Sequence, residues 1–381
     1  MGLEFFYPPD LRPPVTLEDC NKLLLWAIDA RASDIVFQCD NPVWIQVDGL
    51  WNIATKVSLS RSEINGLVEG FSGGAQQLGS VQGGKSVDFA YFTRRENGEF
   101  ERFRVNVTNT SLGPHITMRS LPSALPELEV MELEQALIDA LFPDNGLIVV
   151  SGVMGSGKST LIAAILRDAI LNLGRQILTL EEPIEFDFTS IPCDQMTAPV
   201  AQSGIGQHIL SWQSGVRTMT RRKGEIVLVG EARDRETIES MLATVETGVT
   251  AYCTVHAMDV PQTITRIVNV FDETEQNGIS ATLKSTLRLI IHQRLVPRIR
   301  TEDEKQQGIP GRIALREYLL FDEKIRRELY KIPYDQLVPT IRDFVNEKGL
   351  SLVADARRKH ANGLISDETY EKIAHEQQSH L

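Results

Sequence analysis

The sequence has few of the features that mark several common classes of protein. It holds four cysteines, Cys20, Cys39, Cys193 and Cys253. None is paired at C-x-x-C spacing, which excludes a local zinc or dithiol motif and leaves reduced core thiols of a cytosolic protein as the expectation. Basic residues are in deficit: 39 Lys and Arg stand against 51 Asp and Glu, a net charge of −12. A chain whose main task is to grip nucleic-acid phosphates needs the opposite balance, so no direct nucleic-acid contact is expected, although a local basic channel is compatible with it. No uninterrupted apolar run approaches the length of a membrane span. Runs such as Leu147–Val150 and Leu161–Leu166 suit a buried strand and a buried helix face, so any membrane association is expected to be peripheral. The stretch Met1–Pro9 is too short in its apolar part and too acidic for a signal peptide. Gly2 lacks the downstream Ser or Thr of a myristoylation motif. There is no internal repeat and no low-complexity segment.

What remains is an ordinary globular composition, 42% apolar and 24% charged, in 381 residues, enough for two domains. Residues 16–29 have helical apolar spacing. Short β-type runs follow at 35–38, 43–47 and 49–51, then a helix over 60–71 and strands at 86–92, 100–107 and 114–119. This predicts an α+β domain over 1–119 with an antiparallel sheet. Residues 120–133, rich in Pro, Leu and Glu, read as a linker. From 134 to 381 strands alternate with helices. The strands are expected at 147–150, 176–180, 226–229, 251–255 and 313–320, and the helices at 159–173, 207–222, 234–247 and 261–270. That alternation predicts a mostly parallel α/β sheet. Residues 302–310 read as a polar loop, and a charged helical tail begins at about 339.

Gly152-x₄-Gly157-Lys158-Ser159 matches the phosphate-loop pattern, after an apolar strand and before a helix. Glycines let the chain curl with its N–H groups inward, and the helix N-terminus adds positive potential. Gly152, Gly155, Ser156, Gly157, Lys158, Ser159 and Thr160 are therefore the expected phosphate-binding set for ATP. Lys158 would reach the β- and γ-phosphates, and Ser159 would place its hydroxyl on Mg²⁺. Binding alone is not hydrolysis, which needs a group to orient and deprotonate water. Candidate carboxylates sit where strands end: Glu231 after Ile226–Gly230, and Glu181, Glu182 and Glu185 after Ile177–Leu180. Gly230-Glu231 stands where a Walker B strand usually has Asp. His256 ends the strand that begins at Ala251, and a single histidine taken alone is more often structural than catalytic.

These segments resemble the secretion or traffic ATPases, which include pilus retraction and type II secretion motors. Ile177–Phe186 is similar to their aspartate box, Val229–Asp234 to their atypical Walker B segment, and Thr254–His256 to their histidine box. Arg102–Asn106, Met118–Pro122, Ala32–Ile35 and Val47–Gly49 resemble segments of their N-terminal domain. Within the family, Ile313–Asp322 and the helical tail look most like the DotB- and TraJ-type ATPases of type IVB secretion and conjugation.

The resemblance implies a PAS-like N-terminal domain, a RecA-like ATPase domain and a homohexameric ring. It implies a cytoplasmic protein, peripheral at the inner membrane through a secretion or conjugation complex. It implies Glu185 as general base, Glu231 in the Mg²⁺ shell, through water, and His256 near the γ-phosphate. Arg104 and Arg119 would reach the neighbouring subunit's nucleotide. Two departures stand out: Val249 replaces a family histidine, and Glu182 replaces the aspartate of the box. A pilus retraction motor, a nucleic-acid translocase and a nucleotide-binding regulator without turnover stay open beside the secretion motor.

Overall fold

The computed structural model describes residues 6–8, 11–47, 49–122, 124–301 and 311–378. Asp48 of the Val47–Gly49 segment and the loop expected at 302–310 lie outside the described residues. Two compact units result: Met1–Ala124 together with Pro183–Asp187, and Leu125–Glu182 together with Phe188–Leu381.

In the first unit the described strands are β1 (Ala32–Gln38), β2 (Trp44–Val47), β3 (Leu50–Ile53), β4 (Val87–Arg94), β5 (Phe100–Thr110) and β6 (Gly113–Leu121). They form one antiparallel sheet in the order β3-β2-β1-β6-β5-β4. Its helices are α1 (Leu17–Asp29), α2 (Arg61–Ser72) and α3 (Ala75–Gln82). The first two start at capping boxes, Thr16 with Asp19 and Ser60 with Glu63, in which side chain and backbone satisfy each other's first-turn donors. Alternation sorts the sheet. Phe103, Val105, Ile116 and Met118 turn to the core with Leu23, Leu24, Ile64 and Phe71 of the helices. Arg102, Arg104 and Arg119 therefore fall on the opposite face.

In the second unit β7 (Gly146–Ser151), β8 (Ile177–Glu181), β9 (Val200–Gly204), β10 (Ile226–Val229), β11 (Thr250–Val255), β12 (Leu287–Pro297) and β13 (Arg312–Leu320) form a sheet in the order β13-β12-β7-β11-β10-β8-β9. All neighbours are parallel except β12 and β13. The helices are α4 (Gln135–Asp139), α5 (Lys158–Asn172), α6 (Trp212–Arg221), α7 (Arg235–Glu246), α8 (Val260–Val268) and α9 (Glu273–Thr286), then α10 (Glu323–Tyr330), α11 (Leu337–Lys348), α12 (Leu352–Ala361) and α13 (Asp367–Gln378). The expected architecture, an antiparallel α+β part followed by a mostly parallel α/β part, is the one observed. Every residue of β7 is buried, so the turn that follows it starts from the middle of the sheet.

Three differences from the sequence reading have physical causes. Residues 207–211 are not helical; α6 begins at Trp212, capped by Ser211. α3 and α9 carry too few apolar residues to show a periodic stripe, only Leu78 and Val81 buried in the one and Leu283 the single large buried aliphatic in the other. β12 interrupts its apolar residues with Arg288, His292, Gln293 and Arg294, yet His292 and Gln293 are buried.

Burial pushes the His292 imidazole down to about 4, with Arg294, Arg342 and Lys158 adding to the effect. It is neutral in the folded chain at neutral pH, whereas the unfolded chain would protonate it near 6.5. The unfolded state thus binds the extra proton, and this contribution to stability is full above about 6.5 and lost as pH falls toward 4. Its complete loss is worth roughly 3 kcal/mol. His292→Gln is expected to flatten the fall in Tm between neutral and acidic buffer relative to the parent, in thermal melts run in parallel. An equal fall in both proteins would exclude His292 as a source of acid sensitivity.

Candidate functional site

The turn after β7 is shaped by a close approach. Gly152 has φ +149°, and a Cβ placed there would lie 2.3 Å from the Gln293 backbone oxygen on β12 and 2.5 Å from Ser156 Oγ. Only glycine fits. The loop then enters α5, whose first-turn N–H groups lack helical partners by geometry. Lys158 Nζ donates to the carbonyls of Gly152 at 2.8 Å and Val153 at 2.9 Å, so the buried ammonium is held over the loop. Ser156 Oγ is buried and has no hydrogen-bond partner among the described residues. An ammonium, a helix N-terminus and an orphaned hydroxyl around one curl form a donor set suited to phosphate.

Strand ends bring two further residues to this loop. Gly152 N–H donates to the Val255 carbonyl, which places the end of β11 beside the turn. His256, the next residue, lies 3.4 Å from Glu231. Its imidazole is held below the usual histidine range by burial first and by the Lys158 charge second, against the pull of Glu231 and a hydrogen bond to the Gly152 backbone. Glu231 is also paired with Arg233. Lys158, Glu231 and His256 thus lie close to one another beside the turn at Gly152. Ser159 and Thr160, in the first turn of α5, are half-buried. Glu181 and Glu182 are engaged elsewhere: Glu181 accepts from Thr179 and from Gln202, and Glu182 accepts from Trp212 Nε1.

Glu185 lies in the segment that groups with the first unit. Arg102, on β5, donates to the Ile184 carbonyl at 2.7 Å and to the Glu185 carbonyl at 3.0 Å. Arg104 and Arg119 are direct cross-strand partners on β5 and β6. Two like charges face to face would repel. Asp34, opposite Arg119 on β1, accepts from it at 2.9 Å, and Asp88 lies 3.9 Å from Arg104.

Two residues were missed by the sequence reading. Arg102 stood in a motif but had no role, because it acts on backbone carbonyls that no motif encodes. Gln293 donates from Nε2 to the Ser156 carbonyl at 2.7 Å. Its only sequence mark is a polar residue inside the apolar alternation of β12.

Residues 92–370 match the family model described as "Type II/IV secretion system protein". The chain belongs to this family. It is similar to the uncharacterized protein YggR of Escherichia coli, 35% identical over 222 residues, or 58% of this chain and 64% of that protein. That match spans just under two thirds of the relative's length. Among solved structures it resembles the Legionella pneumophila ATPase DotB, with a TM-score of 0.86 and 34% identity over 98% of this chain and 99% of that one. It also resembles the pilus retraction motor PilT with bound ADP, with a TM-score of 0.78 and 27% identity over 92% and 96% of the two chains. The resemblance read from the sequence motifs therefore holds for the secretion and pilus ATPases as a group.

Gly152→Ala would drive a methyl group into the Gln293 carbonyl and force the loop to move. It is expected to weaken binding of a fluorescent ATP analogue by roughly tenfold or more. Parental affinity in a folded Gly152→Ala protein would show that the approach to β12 does not shape the loop.

Proposed function

We propose that this chain is the ATP-hydrolysing subunit of a homohexameric motor that powers substrate transfer by a type IVB secretion or conjugation system. It would work on the cytoplasmic side, peripheral to the inner membrane, docked on the membrane complex of that system. The observation that carries the proposal is the likeness to DotB over almost the whole of both chains. A phosphate loop with Lys158, Glu231 and His256 gathered around it supports turnover of ATP. Residues 1–119 would be the PAS-like domain, 120–133 the linker and 134–381 the RecA-like domain with its helical tail.

In this reading the N–H groups of residues 152–160 and the Lys158 ammonium hold the phosphates. Magnesium would neutralise the phosphate oxygens. Among the described residues there is no cluster of three His, Cys, Asp or Glu that could cage a metal. A Mg²⁺ would be held mainly by nucleotide and water, with the Ser159 hydroxyl as a ligand and Glu231 ordering the water shell. Glu185 would take the proton of the attacking water as the bond to the γ-phosphorus forms, and ADP leaves with the bridging oxygen. Arg102, by holding the carbonyls before and after the Glu185 Cα, would fix the carboxylate's aim. Arg104 and Arg119 would stabilise charge on the neighbouring subunit's nucleotide.

A pilus retraction motor is the second reading, supported by the likeness to PilT. Val249, where retraction motors have a histidine, packs against the apolar core, so any role of that histidine has no counterpart at this position. Loss of twitching with intact effector or DNA transfer in a deletion strain would favour this second reading over the first.

Lys158→Ala is expected to abolish ATP binding. Glu185→Gln should bind ATP with parental affinity and lose at least roughly a hundredfold in kcat. Arg102→Ala should leave affinity unchanged and lower kcat by roughly tenfold, since the loop loses two charge-assisted hydrogen bonds. Chelation of Mg²⁺ should stop phosphate release, and added Mg²⁺ restore it. Normal phosphate release by Glu185→Gln would rule it out as the base.

A further inference from the structure

The side chain that braces the phosphate loop is the first member of a buried polar chain that ends in the C-terminal helices. Gln293 Nε2 donates one hydrogen to the Ser156 carbonyl, and its Oε1 accepts from Arg316 Nε at 2.9 Å. The two residues are cross-strand partners on β12 and β13. The backbone N–H of Arg316 donates to Asp355 Oδ2 at 2.8 Å. Asp355, on α12, is fully buried, and it also accepts from Lys359 Nζ at 2.8 Å and from Arg358 at 2.6 Å. Lys359 reaches the Ala314 carbonyl as well. Gln293, Arg316, Asp355 and Lys359 are all at most 5% exposed. Burial pushes the Arg316 guanidinium down to about 10, opposed chiefly by Asp355, and leaves it charged at neutral pH.

Such a chain is poorly suited to adding stability alone. Buried ion pairs often do no better than apolar side chains of the same shape, and loss of one partner strands the rest. It is well suited to fixing an orientation. A trans peptide is planar, so its C=O and the next N–H point in opposite directions. Holding the Ser156 carbonyl toward Gln293 directs the Gly157 N–H away from β12. The chain therefore controls the direction of a donor in the centre of the loop.

We propose that Gln293 is a positioning residue for the phosphate loop and that α12, through Asp355 and Arg316, sets that position, so that nucleotide affinity depends on how the C-terminal helices are docked. This rests on the reading of residues 152–160 as the nucleotide site. It gives the tail a task in the subunit that carries it: a partner that pulls α12 from β13 would loosen the loop and release nucleotide.

The test uses the full chain, three single variants and the double variant of the first two. Gln293→Met keeps the volume and removes both hydrogen bonds. Asp355→Asn keeps the shape and removes the charge. Leu329→Ala cuts into the apolar core on α10, outside the chain of contacts, as a control for general destabilisation. Dissociation constants for a fluorescent ATP analogue are measured on each folded protein, with thermal melts alongside. The expected result is a rise of roughly three- to tenfold in Kd for Gln293→Met and for Asp355→Asn. The double variant should be no worse than the weaker single, and Leu329→Ala should bind as the parent does. Amide exchange of residues 153–159 without nucleotide should quicken in the first two variants and not in the third. Parental Kd and exchange in Asp355→Asn would overturn the proposal, as would equal effects in all three variants or additive effects in the double variant. If the parent chain binds no nucleotide, the functional reading itself fails, and the exchange data alone then decide whether α12 holds the loop.

Discussion

The second unit is organised by the contact between the turn at Gly152 and the backbone of β12 at Gln293. The turn leaves the sheet from an interior, fully buried strand, and the neighbouring strand runs past it with no room for a side chain. Two requirements follow. β12 must stay in register with β7 through the pair His292 and Ser151, because a slip of one residue would exchange every side chain between the two faces. And the residues of β12 beside the turn must be polar although buried, since they meet polar groups there, the Ser156 carbonyl for Gln293 and the Ser151 hydroxyl for His292. His292 and Gln293 satisfy that requirement with partners on β7, the loop and β13, Ser151, Ser156 and Arg316, and the half-buried Arg294 next to them pairs with Glu376 on α13.

The same logic accounts for the first unit's polar face. Asp34, Arg119 and Arg104 form a row across β1, β6 and β5, with alternating charge at one end and two arginines side by side at the other. Such a row is costly unless anions flank it, and Asp34 and Asp88 do so. Arg102, two residues before Arg104 on the same face, instead holds the backbone at Ile184 and Glu185. The residues proposed for catalysis are thus divided between the units: the base and the arginines belong to one, and the phosphate loop, Glu231 and His256 to the other.

Much of this was legible in the sequence because it rests on local patterns. The phosphate loop is a contiguous motif, β7, β10 and β11 are short apolar runs, and α1 and α2 announce themselves by caps and stripes. What was not legible depends on contacts distant in sequence. β12 hides its strand character behind buried polar residues whose partners are 23 to 141 positions away. The role of Arg102 lies in two carbonyls 82 and 83 positions downstream. Motifs record side-chain types at fixed spacing, and neither of these is a spacing.

The irregular acid after β10 is a case in which the structure explains what the sequence could only record. A Walker B strand usually ends on Asp, and here Gly230 holds that place. A Cβ at residue 230 would lie 2.9 Å from the Leu180 carbonyl and 3.2 Å from the Glu181 Cα, and the Gly230 N–H donates to the same Leu180 carbonyl at 2.7 Å. The ends of β8 and β10 are pinched together by that hydrogen bond, and Thr254 ties the end of β11 to the Gly230 carbonyl from the other side. No side chain can occupy the pinch, so an acid can stand only one residue further on. At 231 it has emerged from between the strands, beside His256 and Arg233. The close convergence of two parallel strands at the mouth of the sheet therefore accounts for a glycine at 230, with the first acid at 231.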